Sequence, residues 1–70
     1  MTIAQAIKSA EKIEIVSGEG EMGIAEIYTG SRTERALKMR IKKEKCGGDR
    51  FCFAKIDGER MYLTDAGLQF

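Results

Sequence analysis

Hydrophobic residues recur at helical intervals in the middle of the chain. Ser31 and Glu34 have the spacing of a capping box, which begins a helix, and Gly47 and Gly48 supply the left-handed backbone that ends one. The pattern therefore predicts a helix from about Arg32 to Lys45. The side of this helix that faces the core consists of Thr33, Ala36, Leu37 and Ile41, edged by Arg40 and Glu44.

Asp57 and Gly58 separate two apolar runs that alternate with the two-residue period of strands. This dipeptide favours a type I′ turn, in which both central residues need positive φ, so the sequence predicts a β-hairpin. The turn also fixes the register of the two strands. The predicted opposed pairs are Ile56 with Glu59, Lys55 with Arg60, Ala54 with Met61, Phe53 with Tyr62, and Cys52 with Leu63.

The two faces of this hairpin differ in size and character. One face carries the smaller side chains of Cys52, Ala54, Ile56, Met61 and Leu63. The other face carries Phe51, Phe53 and Tyr62 together with Lys55 and Arg60. The apolar side of the helix is narrow, so it fits the first face better than it fits three bulky rings. We therefore predict that the rings lie on the face away from the helix; the alternative is that they are core residues, under a helix or in a dimer seam.

The first half of the chain predicts a second helix and a second hairpin. Thr2 and Gln5 repeat the capping-box spacing before a short helix from about residue 3 to residue 10. Strands over residues 12–16 and 22–29 flank a three-residue loop formed by residues 18–20. Pairing across this loop sets Lys12 opposite Glu26, and it places Ile13 and Ile15 on the same face as Gly23, Ala25 and Ile27.

These elements follow one another in the order α-β-β-α-β-β. Two hairpins joined by a helix most simply form an antiparallel sheet of about four strands with helices on one face. The expected fold is thus a small two-layer α+β domain that comprises residues 1–70. Two alternatives stay open: the N-terminal segment is not helical, and the tail from Thr64 to Phe70 either frays or adds one short strand.

Few residues offer the chemistry of catalysis or metal binding. The chain has no histidine and only two cysteines, Cys46 and Cys52, so neither a nucleophile–base pair nor a zinc site is predicted. Both thiols are expected to stay reduced and packed, and the alternative is a disulfide between them. Residues 18–23 match the G-x-G-x-x-G pattern, but a predicted strand follows them where a cofactor loop would open a helix. We expect a hairpin turn there, and a protein without enzymatic activity, metal or cofactor.

Length and charge narrow the class of protein further. The 70 residues are 43% hydrophobic and 33% charged, which is typical of a globular domain with a core so small that a homodimer is a live alternative. No apolar run reaches the length of a membrane span, and no signal-peptide pattern is present, so we expect a cytoplasmic protein. Net charge is only +1, but it is unevenly distributed: residues 1–31 carry −3 and residues 32–70 carry +4.

The basic and aromatic residues of the second half form the candidate binding set. Cations on the helix recur every three or four residues and line one side of it. Cations on the hairpin alternate with aromatic rings, and rings on an open sheet can stack bases while Lys and Arg bind phosphates. The candidate binding residues are Arg32, Arg35, Lys38, Lys42, Lys45, Arg50, Phe51, Phe53, Lys55, Arg60 and Tyr62.

From this set we expect a small regulatory module that binds RNA or DNA through a basic helix face and an aromatic, basic hairpin. The alternative is a protein-binding adaptor or inhibitor of the kind that mobile elements encode, with or without homodimer formation. Such a protein would use the aromatic hairpin or the acidic first hairpin against a protein partner, or would dock its basic stripe on an acidic protein surface. A basic stripe on a helix is also compatible with a solvated face that binds nothing.

Overall fold

Two helices cover one face of a five-stranded antiparallel sheet, which confirms the predicted α+β class. The computed structural model describes all 70 residues. The helices are α1, Ile3–Ser9, and α2, Glu34–Lys43. The strands are β1, Ile13–Glu19; β2, Met22–Ile27; β3, Arg50–Ile56; β4, Glu59–Thr64; and β5, Gly67–Gln69. The element order is therefore the predicted one with a fifth strand added by the tail, and the spatial order of the strands is β2-β1-β3-β4-β5.

The core lies between the helices and one face of the sheet. Ile7 of α1 and Leu37 and Ile41 of α2 are buried against side chains that alternate along the strands. The strands and their connections contribute Ala10, Ile13, Ile15, Tyr28, Ala54, Ile56, Met61 and Leu68 to this core, with Cys52 and Leu63 packed at its margin. The face of the second hairpin that was predicted to meet the helix does meet it.

The second hairpin has the predicted turn. Asp57 and Gly58 both have positive φ, at 50° and 90°. The pairs of Ala54 with Met61, Lys55 with Arg60, and Ile56 with Glu59 are those expected. The two further predicted pairs, Phe53 with Tyr62 and Cys52 with Leu63, lie beyond the paired part of this ladder. The Asp57 carboxylate also accepts hydrogen bonds from the Glu11 and Lys12 amides, at 3.0 and 2.9 Å, so the turn is fastened to the connection between α1 and β1.

The first hairpin has a different register from the one predicted. Glu26 pairs with Ile15 and not with Lys12, a shift of three residues, because the turn consists of Gly20 and Glu21 alone. Gly18 belongs to β1, where it faces Gly23, and a Cβ atom on it would lie 1.8 Å from the Met22 carbonyl oxygen. An odd shift moves every side chain of a strand to the other face. Gly23, Ala25 and Ile27 therefore lie opposite the face that holds Ile13 and Ile15.

The boundaries of α2 also differ from the predicted helix of residues 32–45. Thr33, not Ser31, is the N-cap, and its hydroxyl accepts a hydrogen bond from the Ala36 amide at 3.1 Å. The Tyr28 hydroxyl instead donates to the Ser31 carbonyl at 2.6 Å, which ties the two ends of residues 28–31 together. At the other end Lys45, with φ of 51°, takes the left-handed conformation expected of the glycines. The predicted capping box of α1 is present, with Thr2 and Gln5 bonded reciprocally at 2.9 and 3.2 Å.

Candidate nucleic-acid interface

The helix-free side of the sheet, here called the open face, carries a cluster of three aromatic rings. Phe51 and Phe53 alternate with Cys52 and Ala54 along β3, so they point away from the helices, as predicted. The ring centroids of Phe51 and Phe53 lie 6.1 Å apart with an angle of 21° between the planes. Tyr62 on β4 lies 5.4 Å from Phe53 at 47°. These distances are those of favourable aromatic pairs, so the three rings form one cluster.

Arg60 completes this cluster by covering one of its rings. Its guanidinium lies 4.9 Å from the centroid of the Phe53 ring, within the range of a cation–π interaction. Phe53 is thereby buried to 8% exposure although no helix covers it. Tyr62 remains 42% exposed, and Phe51 is half-buried. The surface offered to a ligand thus consists of Tyr62, part of Phe51 and the Arg60 guanidinium, with Phe53 beneath them.

Small residues of the first hairpin lie beside the rings and open a depression. Val16 on β1 pairs with Phe53, and Ala25 on β2 pairs with Val16. The side chains in this row therefore decrease in size from the rings to the edge of the sheet. Gly23 lets Phe51 lean toward β2, since a Cβ atom there would lie 3.0 Å from Phe51 Cζ. The depression measures about 550 Å³. This floor was not predicted, because the expected register placed Gly23 and Ala25 on the helix side.

The open face has two cations without an acidic partner. Lys55 and Arg60 face each other across β3 and β4, and neither has a carboxylate within 4 Å. Glu14 is the neighbour of Lys55 on β1, but its carboxylate lies 3.6 Å from the Lys12 ammonium. The positive charge of Lys55 and Arg60 is therefore available to an anionic ligand next to the rings.

The basic stripe of the helix lies on the other side of the domain. Arg35, Lys38 and Lys42 project from α2 and Lys45 follows it, and none of the four forms an ion pair. Lys38, Lys42 and Lys45 line a groove of about 570 Å³ between α2 and the β4–β5 turn, which also contains Asp65. Because the helices and the rings occupy opposite faces of one sheet, the structure does not bring the two halves of the predicted set together.

Two predicted binding residues have structural partners instead. Arg32 lies before α2, not within it, and its Nη1 donates to the carbonyls of Ile7 and Ala10 at the end of α1. Arg50 lies on the helix side of the sheet, where its Nε donates to the Glu44 carbonyl at 2.8 Å and its Nη2 to the Glu44 carboxylate at 3.1 Å. A second carboxylate, that of Glu19, lies 3.9 Å from Arg50 Nη1. These two guanidinium groups tie elements of the fold together.

An ion-pair network that was not predicted fixes α2 to the first hairpin. Arg40 donates to the Glu44 carboxylate one turn away and, at 3.1 Å, to the Glu26 carboxylate on β2. The hydrogen bond from Arg40 is the largest cause that lowers the pKa of Glu44. The predicted position of Arg40 and Glu44 at the core margin is correct, but their partner Glu26 was hidden by the wrong register.

The two cysteines are free thiols on the helix side of the sheet. Cys46 is exposed, whereas Cys52 is half-buried, and this burial, with a smaller contribution from neighbouring Cys46, raises the pKa of the Cys52 thiol to about 12. No group of three or more potential metal-binding side chains is assembled. Neither helix has the length and hydrophobicity needed to span a membrane.

Comparison with known protein families, curated proteins and solved structures gives no significant match to this chain. The site must therefore be interpreted from its own geometry.

Proposed function

We propose that this protein is a non-enzymatic module that binds single-stranded nucleic acid on the open face of its sheet. The observation that carries the proposal is the cluster of Phe51, Phe53 and Tyr62 on a sheet face that no helix covers, with the unpaired cations Lys55 and Arg60 at its border. Single-stranded nucleic acids are bound in this way on sheets, by rings that stack bases and cations that contact phosphates.

Each group of the open face has a role in this proposal. The exposed ring of Tyr62 and the accessible part of the half-buried Phe51 ring are the stacking surfaces. The planar guanidinium of Arg60 is itself a surface on which a base can stack, and it is held in place by the Phe53 ring beneath it. Lys55 then binds a phosphate of the same strand. The depression over Val16 and Ala25 gives room for one further base.

The basic stripe on α2 contributes from a distance. Its four cations face away from the rings, so they do not share a contact surface with the bases. An uncompensated positive field of this kind raises the rate at which an anionic ligand arrives. We therefore assign recognition to the open face and electrostatic attraction to the helix. In the competing interpretation the partner is a protein, which contacts either the basic stripe through an acidic surface or the aromatic hairpin itself.

Fluorescence anisotropy with labelled single-stranded DNA and RNA of roughly 20 nucleotides tests the proposal, since this length exceeds the roughly 4–16 nucleotides that a single OB-fold domain binds. Phe51→Leu combined with Tyr62→Leu keeps apolar bulk but removes both stacking surfaces, and affinity should fall by at least about tenfold. Met39→Leu is the matched control, because Met39 is exposed on α2 and lies off the open face.

The charged residues separate the possible outcomes. Lys55→Gln combined with Arg60→Gln should lower the salt dependence of binding by about one phosphate contact, that of Lys55, and should also weaken stacking through loss of the Arg60 guanidinium. Arg35→Glu combined with Lys42→Glu should slow association while the effect of the ring substitutions persists. Absence of binding at low salt would overturn the proposal in favour of a protein partner. Binding that depends on the helix and not on the rings would move the site to α2.

A further inference from the structure

The outer edge of β2 is an unprotected strand edge. β2 is six residues long and has β1 as its only neighbour, and every one of its residues is exposed. The strand contains no proline, lysine or arginine, the residues that usually prevent edge strands from pairing with other chains. The opposite edge of the sheet is different, because β5 has only three residues. Such a short strand offers few backbone groups for pairing with another chain.

The backbone of β2 offers a regular row of free hydrogen-bonding groups. The Tyr28 amide donates to the Ile13 carbonyl at 2.8 Å, so residue 28 directs its backbone toward β1. In an antiparallel ladder the direction alternates from residue to residue. Glu26 and Ile24 therefore also face β1, and the N–H and C=O groups of Gly23, Ala25 and Ile27 point outward.

Large apolar side chains accompany this row on both faces of the sheet. Met22 and Ile24, on the helix side, are 80% and 69% exposed, and Ile27, on the open face, is 59% exposed. Exposed apolar residues on both sides of an open strand edge are costly for a monomer and are typical of surfaces that associate. The only charged side chain of β2 is Glu26, which is held by Arg40 of the same chain at 3.1 Å.

We propose that β2 pairs antiparallel with β2 of a second copy of this chain, with Ala25 opposite Ala25 of that copy. This register sets Gly23 opposite Ile27 of the second copy, so all three outward-facing residues pair and six backbone hydrogen bonds form. Glu26 then faces Ile24 of the second copy. The alternative register pairs Ala25 with Ile27 of the second copy and would set Glu26 opposite Glu26. Like charges directly opposite each other destabilise a sheet, so this register is disfavoured.

The pairing joins the two sheets into one of ten strands. Directly opposed residues lie on the same face of a sheet, so the two open faces become continuous and the helices of both copies stay together on the other side. Pairing along one short strand buries less than the roughly 1,200 Å² of a standard interface. The dimer should therefore dissociate to the 7.8 kDa monomer on dilution into the micromolar range.

Sedimentation velocity of the full chain, without nucleic acid, over roughly 5 µM to 1 mM tests this proposal across the affinities expected of small interfaces. The wild type should shift toward the dimer mass as concentration rises. Ala25→Lys places two lysines opposite each other on an exposed position, and it should raise the dissociation constant by at least about tenfold. Met39→Lys, the same kind of change at an exposed residue off the strand edge, should leave it unaltered.

Amide exchange at the two ends of the concentration range locates the contact. The amides of Gly23, Ala25 and Ile27 should gain protection at high concentration, whereas those of Ile24 and Glu26 should be protected throughout. A monomer at every concentration overturns the proposal, and so does a dimer that Ala25→Lys leaves intact or that protects other amides. Because no nucleic acid is present, either result is independent of the proposed function.

Discussion

The guanidinium of Arg60 lies 4.9 Å from the centroid of the Phe53 ring, on a sheet face that no helix covers. Arg60, Phe51 and Tyr62 together exclude water from Phe53 and leave it 8% exposed. The open face thus has a small apolar cluster of its own, separate from the core beneath the helices. Residues of this cluster contribute to stability and are at the same time candidates for ligand contact.

Phe53→Ala should therefore lower the free energy of unfolding by about 3 kcal/mol, at the lower end of the range for a buried phenylalanine because the helices do not enclose the ring. Tyr62→Ala should cost about 1 kcal/mol, since it removes one ring pair from an exposed position. Urea unfolding at two protein concentrations measures both. Equal losses for the two variants would mean that Phe53 is not the buried member of the cluster.

Gly58→Val should lower the free energy of unfolding by about 1–3 kcal/mol, because a β-branched residue is strained at positive φ. The cost is conformational, since a Cβ atom on Gly58 would meet nothing within 4 Å. Glu59→Val introduces the same side chain at the next, exposed position, where strand geometry accommodates it, and should change stability by less than about 0.5 kcal/mol. Unfolding midpoints that fall equally for both would contradict a turn-specific effect.

The contrast between the two hairpins shows what a sequence determines locally. Asp57-Gly58 specifies one turn type, and its register follows from that dipeptide alone. The first hairpin has three glycines in six residues, and each could have formed the turn. Which glycine lies in the turn depends on the packing of the folded strands. The two strands approach closely where Gly18 faces Gly23, and a side chain on Gly18 would have no space.

The candidate site was predictable only in part, because some of its features follow from local sequence patterns and others from tertiary packing. Strand alternation was sufficient to place Phe51, Phe53 and Tyr62 on one face, and the narrow apolar side of the helix indicated which face stays open. The partners of Arg32 and Arg50 are backbone carbonyls and carboxylates far away in sequence, which no spacing reveals. Separation of the helix stripe from the rings also follows only from the layer order of the fold.

Arg32→Ala should destabilise the protein by about 1–3 kcal/mol, since charged hydrogen bonds to the last carbonyls of α1 are lost. Oligonucleotide affinity of the folded fraction should not change, because this guanidinium is occupied within the fold. Arg35→Ala is the matched control: Arg35 is exposed without an ion pair, so its removal should alter stability by less than about 0.5 kcal/mol. Thermal unfolding distinguishes the two variants. If fully folded Arg32→Ala bound oligonucleotides more weakly than the wild type, Arg32 would have to be counted among the binding residues.

The half-buried thiol of Cys52 predicts a loss of stability at alkaline pH. Burial raises its pKa to about 12 in the folded protein, while a cysteine in an unfolded chain has a pKa of about 8.5. Between these values the unfolded chain binds fewer protons than the folded protein, so the free energy of unfolding decreases as pH rises. The contribution is complete below about pH 8.5 and is lost progressively toward about pH 12.

Comparison of urea midpoints at about pH 8 and about pH 10 isolates this effect. Only the lower of these two pH values lies below the pKa of the Cys52 thiol in the unfolded chain. The wild type should lose more stability over this interval than Cys52→Ala, which lacks the thiol. Cys46→Ala should keep most of the wild-type slope, since burial of Cys52 is the larger cause of its raised pKa and Cys46 the smaller. All side chains other than the two thiols are common to the three proteins and cancel in the comparison. If Cys52→Ala retained the full wild-type slope, the alkaline instability would have to arise from those other groups.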